Sequence, residues 1–199
     1  ICMANHTKTY GNKYKNIDLS KLDDLDEFLK LIAFQNRSLN LYAIGGTAMV
    51  MQNIKENTKD IDFLTNNTYD EVKEIFSIAG LKEKQGGTGC NIWYLKNLRI
   101  DIFYHDMIMG IALPENWKEE SLFIKKINEI NLNILSWYYI IITKIARFEK
   151  RDIEDIKKIM EKEKINFEKL KKIYHEICKN SILKNYKEQF KRFEKMVTR

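Results

Sequence analysis

Residues 59–64, Lys-Asp-Ile-Asp-Phe-Leu, alternate carboxylates with apolar side chains. Side chains two apart in a strand share a face, so Asp60 and Asp62 point one way while Ile61 and Phe63 point into a core. Two like charges this close resist ionising together unless a cation sits between them. The stretch 98–106, LRIDIFYHD, repeats the design: Ile100 and Ile102 face the core and Asp101 faces away. The chain is thereby committed to a sheet with one buried face and one carboxylate-bearing face. Such hard oxygen ligands suit magnesium or manganese. Two such ions about 4 Å apart can clamp a transferring phosphoryl group.

A second motif precedes the acidic strand. Residues 39–46, LNLYAIGG, read as a short buried strand ending in Gly45 and Gly46, and a short apolar helix follows from Thr47. Backbone N–H groups at such a helix start favour phosphate. Glycine allows its close approach, and the Thr47 hydroxyl can add a contact. No Lys-Ser or Lys-Thr follows, so this is not a Walker A loop. The stretch GGTG at 86–89 lacks that pair too and reads as a flexible turn.

Around these motifs the pattern is α/β. Leu22, Leu25, Phe28, Leu29 and Ile32 recur at helical spacing after Ser20, a plausible N-cap. The stretch 68–80 reads as a helix capped by Thr68 and stopped at Gly80. LKEKQ at 81–85 fits a sheet edge. Two hairpins are expected, one turning around Asn97 and one around Asn128 and Glu129. From Ser136 the pattern is helical. We therefore expect a small mixed sheet flanked by helices over 1–135 and a helical domain over 136–199. Residues 1–16 read as a loose leader, polar and without a signal-peptide core, and the Ile1 start as a trimmed end.

Composition excludes several classes. The 199 residues are 44% hydrophobic and 31% charged, with no apolar run long enough for a bilayer. The expected compartment is the cytoplasm. Three scattered cysteines and three scattered histidines give neither a disulfide framework nor a zinc site. The net charge of +6 suits nucleotides or nucleic acid, although mixed Lys and Glu also simply solvate helices. Trp93, Tyr94, Trp137, Tyr138 and Tyr139 could stack a base, but aromatics so placed are more often core.

Taken together, Ile44-Gly45-Gly46, then Asp60-Ile61-Asp62-Phe63, then Asp101 in RIDIF resemble the signature of the DNA polymerase β-like nucleotidyltransferase superfamily. The stretch 135–159, with Lys144, Arg147 or Arg151, and Asp152 with Asp155, is similar to the helical segment of small prokaryotic abortive-infection and toxin–antitoxin nucleotidyltransferases. The resemblance implies that Gly45, Gly46 and Thr47 hold nucleotide phosphates and that Asp60, Asp62 and Asp101 bind Mg²⁺ or Mn²⁺ and carry the chemistry. One departure is Gly46 where many members have serine. If 137–160 is one helix, Lys144, Arg151 and Asp155 share a stripe, and Lys144 and Arg151 are expected at the nucleotide. Asp152 and Asp155 read more readily as helix-restart residues. The implied activity is metal-dependent transfer of a nucleoside monophosphate from a nucleoside triphosphate to a hydroxyl. The expected acceptor is an RNA end such as that of tRNA, or a protein, ahead of a small molecule. The context would be a toxin–antitoxin or defence system with a cognate antitoxin or partner protein. The alternative is a non-catalytic, antitoxin-like regulatory subunit, and three intact carboxylates argue against it.

Overall fold

The computed structural model describes residues 21–87 and 89–197. The leader at 1–16 and the Ser20 cap lie outside the described residues. Helix α1 (Leu22–Ala33) is amphipathic and buries Leu25, Phe28, Leu29 and Ile32. Strand β1 (Leu39–Ala43) leads into helix α2 (Gly45–Met51), and β2 is Ile61–Leu64. Helix α3 (Tyr69–Ile78) starts on a capping box, in which Thr68 Oγ1 accepts from Glu71 N and Glu71 Oε2 accepts from Thr68 N. It stops before Gly80, whose φ of +83° a β-carbon would resist. Strands β3 (Lys82–Gln85), β4 (Cys90–Leu95) and β5 (Leu98–Phe103) follow, the last two joined tightly through Lys96 and Asn97.

The stretch 107–117 folds into a small hairpin, β6 (Met107–Ile108) and β7 (Ile111–Ala112), and a 3₁₀ turn, Glu115–Trp117. Strands β8 (Leu122–Ile127) and β9 (Ile130–Ile134) form the second hairpin, turning at Asn128 with φ +49°. Helices α4 (Trp137–Arg147), α5 (Lys150–Lys162), α6 (Phe167–Lys179) and α7 (Tyr186–Val197) complete the chain.

Seven strands make one mixed sheet in the order β3-β4-β5-β2-β1-β9-β8. β2 runs antiparallel to β1 and parallel to β5. The inward face packs on α1 and α3, where Phe28 meets Phe63 at 6.3 Å and Phe76 at 5.7 Å, and Phe76 meets Trp93 at 5.4 Å. Ile140, Ile141, Ile142 and Ile145 of α4 join the same apolar core. Among the described residues no helix is long and apolar enough to cross a membrane.

The structure corrects one element. Residues 137–160 are two helices, because Phe148 is left-handed at φ +53° and ψ +42°. The second helix restarts on Glu149, whose N–H is capped by Asp152 Oδ2 at 3.0 Å. The expected stripe is thereby split. Lys144 and Asp155 still meet across the break, whereas Arg151 donates to Glu149 Oε2 at 2.9 Å.

Candidate active site

Parallel pairing of β2 with β5 places Asp62 directly beside Asp101. Asp60 is on the same face, and the three side chains offer carboxylate oxygens that all lie within 4.8 Å of one another. Asp101 is buried and the other two are half-buried. Burial pushes the Asp62 carboxyl well above the usual carboxylate range, and the charges of Asp60 and then Asp101 add to it, against Arg99 and Arg147. The strand alternation alone made these residues legible.

Arg99 is the counter-ion of this cluster. Two residues before Asp101 on β5, it donates from Nε to Oδ1 at 2.7 Å and from Nη2 to Oδ2 at 2.6 Å, and its Nη1 lies 3.9 Å from Asp60 Oδ2. A bidentate guanidinium is the strongest ordinary partner for a carboxylate. A cation taking Asp101 as ligand must therefore compete with it.

The glycine turn faces the acids. Gly45 has φ +54°, and a Cβ built on it would lie 3.4 Å from Asp62 Oδ2. Gly46 is required for a different reason: a Cβ there would come 2.2 Å from Thr58 Oγ1 and 3.0 Å from Thr58 Cβ. Thr47 is buried, and its hydroxyl accepts from Asp62 N at 2.8 Å and donates to Asp60 O at 3.4 Å. It thus fastens the turn to the acidic strand. Gly46→Ala should cost roughly 1–3 kcal/mol by overpacking. In urea unfolding, Gly46→Ala combined with Thr58→Ala should cost less than the two single changes added, because the smaller neighbour removes the closest clash.

Behind the acids lies a buried ionic cluster across the α4–α5 break. Lys144 Nζ is 2.7 Å from Asp155 Oδ2 and 3.7 Å from Asp152 Oδ1. Asp152 also accepts from Arg147 Nε at 2.8 Å and Nη2 at 2.5 Å. Lys55, in the connection between α2 and β2, reaches Asp155 Oδ1 at 3.0 Å. Burial holds Lys144 below the ordinary lysine value, with Asp155 and Asp152 working the other way. Burial also opposes ionisation of Asp155, yet Lys144 and Lys55 prevail and lower it. At Arg147 burial is outweighed by Asp152, with smaller help from Glu149 and Asp62. Its charge therefore acts directly on the acidic cluster. Of the expected nucleotide-side cations, Lys144 is enclosed by two carboxylates and Arg151 is bound to Glu149, while Arg147 is the arginine electrically coupled to Asp62.

Residues 20–199 match the family described as nucleotidyltransferase of unknown function (DUF6036). A comparison with curated protein sequences gives no match. Among solved structures, the fold is similar to ANT(2″)-Ia in complex with adenylyl-2″-tobramycin, at 15% identity over 78% of this chain and 97% of that one, with a TM-score of 0.56. The solution structure of ANT(2″)-Ia, described as an antibiotic-resistance factor, is similar at 14% identity over 90% and 99% of the two chains, TM-score 0.59. An antigenic nucleotidyltransferase-like protein from Paracoccidioides brasiliensis is similar at 14% identity over 81% and 90%, TM-score 0.52.

Proposed function

Because this chain belongs to the nucleotidyltransferase family DUF6036, within the DNA polymerase β-like superfamily, we propose that Asp60, Asp62 and Asp101 form a centre that transfers a nucleoside monophosphate from a triphosphate to an acceptor hydroxyl. The observation that carries this reading is the three-carboxylate cluster lying directly under the Gly45 turn.

The donor set fits a divalent cation. Three carboxylates within 4.8 Å, one of them driven towards protonation by burial and then by its two neighbours, are hard oxygen ligands whose mutual repulsion a cation relieves. Asp60, Asp62 and Asp101 would hold Mg²⁺ or Mn²⁺, which when bound offsets charge on the transferring phosphoryl group and acidifies a hydroxyl. The chain's own residues supply the rest. Gly45 and Gly46 let the triphosphate approach the backbone, and Thr47 keeps that turn registered on β2. Arg147, more than Lys144 or Arg151, is placed to attract the triphosphate, and Asp152 orients it. Lys144 and Arg151 support nucleotide binding from the α4–α5 junction. The acceptor oxygen attacks the α-phosphorus as the bond to the β-phosphate oxygen breaks, pyrophosphate leaves, and the acceptor's proton passes to Asp101. Most of the acceleration is positioning and charge compensation.

An RNA end or a protein is the proposed acceptor, in a cytoplasmic toxin–antitoxin or defence setting with a cognate partner. That finer setting rests on the resemblance of 135–159 alone. A catalytic unit at 1–135 and a helical domain at 136–199 belong to the same proposal, supported by strands ending at Ile134 and helices starting at Trp137.

Thermal unfolding tests the donor side. Mg²⁺ or Mn²⁺ with the right ribonucleoside triphosphate, at about a hundred times its dissociation constant, should add roughly 2.7 kcal/mol of stability. An unmoved melting temperature with metal and each of the four triphosphates contradicts the proposal.

A further inference from the structure

We propose that Lys55 is a positioning residue for the nucleotide: through Asp155 it sets the glycine turn in register with Arg147. This rests on the transfer reading above and adds to it a residue outside the acids and the turn.

Residues 52–60 join α2 to β2, and both ends of this connection are functional in that reading. Gly45 and Gly46 open α2, and Asp60 immediately precedes β2. No helix or strand intervenes between α2 and β2, so the connection is held by individual contacts. On its own side, the N–H groups of Ile54 and Lys55 both donate to Met49 O of α2, at 2.8 and 3.3 Å. Thr58 lies against Gly46, where a β-carbon would clash with it. A displacement at residue 55 is therefore passed to the turn.

The other contacts are with α5. Lys55 Nζ donates to Asp155 Oδ1 at 3.0 Å and to Oδ2 at 3.4 Å. Lys162 Nζ donates to Gln52 O. Asp155 and Lys162 are seven residues apart and share nearly one face of the helix, and the connection lies along that face. One turn before Asp155, Asp152 holds Arg147, the arginine whose charge reaches Asp62. Neighbouring carboxylates of α5 thus hold the connection from the phosphate turn and the arginine. Lys144 joins the two, at 2.7 Å from Asp155 and 3.7 Å from Asp152. A triphosphate lying between the Gly45 turn and Arg147 needs the two at a fixed separation, and small misplacements weaken such contacts steeply.

Lys55 serves position more than stability. Its side chain is 29% exposed. Without it Asp155 keeps Lys144, so no buried carboxylate is left alone.

The test is isothermal titration of the full chain with Mg²⁺ and ATP, GTP, CTP or UTP, whichever the parent binds most tightly. No acceptor is added, and salt is held at about 0.15 M, where charges more than about 8 Å apart are screened. Lys55→Met should bind the triphosphate about tenfold more weakly, with an unfolding midpoint in urea close to the parent's. Lys55→Arg should restore most of the affinity, since a guanidinium also pairs with a carboxylate. In an Asp155→Asn background, Lys55→Met should cost little further, because the ion pair it removes is already gone. Unchanged triphosphate affinity in Lys55→Met overturns the inference and leaves the transfer reading intact. So does a loss that persists undiminished in the Asp155→Asn background, which would make Lys55 a direct phosphate ligand. A parent that binds none of the four triphosphates loses both.

Discussion

Asp62→Asn should abolish nucleotidyl transfer, by more than about a hundredfold, while making the metal-free protein more stable. The loss follows from removing one of three clustered carboxylates. The gain follows from the raised Asp62 pKa, caused first by burial and then by Asp60 and Asp101. A carboxyl whose pKa is higher in the folded state binds its proton more tightly there, so folding stability falls as pH rises from the ordinary carboxylate value through the folded one. Asparagine imitates the protonated form. The variant's advantage in urea unfolding should therefore be present at neutral pH and vanish near pH 4, about where the unfolded carboxyl titrates. Asp101→Asn should lose transfer equally but move stability the other way, because Asp101 holds Arg99 through two hydrogen bonds. A guanidinium whose side chain is only 14% exposed would then lose its main partner. Equal stability changes in the two variants would contradict this account of the cluster's electrostatics.

The largest loss of stability is expected at Asp152. It is fully buried and receives Arg147, Glu149 N–H and, at 3.7 Å, Lys144. Asp152→Ala takes from Arg147, whose side chain is 32% exposed, its bidentate carboxylate, leaves Lys144 with Asp155 alone, and uncaps α5. A broken buried pair of this kind costs about 3–5 kcal/mol. For a chain of this size that is a melting-temperature drop of roughly 6–20 °C. Calorimetry on the metal-free protein measures it. A change below about 1 kcal/mol would mean that apolar packing alone joins α4 to α5. Because Arg147 acts on Asp62, a milder Asp152→Asn variant should also weaken triphosphate binding through Arg147, while leaving Asp60, Asp62 and Asp101 in place.

Much of this was legible where local patterns decide structure. Alternation in KDIDFL and RIDIF put three carboxylates on one face, and Thr68 marked the start of α3. What was not legible depended on distant partners or on backbone conformation without a sequence signal. Phe148 adopts a left-handed conformation although nothing in its residue type announces a break, so the helical stripe of Lys144, Arg151 and Asp155 came apart. Beyond that break Arg151 donates to Glu149, whereas the charge of Arg147 acts on Asp62. Lys55 meets Asp155 across 100 residues of sequence, which no periodicity reveals. The need for glycine at 46 comes from Thr58, a side chain in the following connection. Placing Asp62 beside Asp101 required the parallel pairing of β2 with β5, strands separated in the chain by α3, β3 and β4.

We propose that the carboxylates under the Gly45 turn transfer a nucleoside monophosphate. The most direct measurement supplies the purified full chain with Mg²⁺, cellular RNA and protein, and each ribonucleoside triphosphate labelled either at the α- or at the γ-phosphate, beside the Asp62→Asn variant. The account predicts macromolecular product carrying α-label and no γ-label from one or more triphosphates, with pyrophosphate released, and no product from the variant. Incorporation of γ-label, or α-label transferred equally by Asp62→Asn, would contradict it.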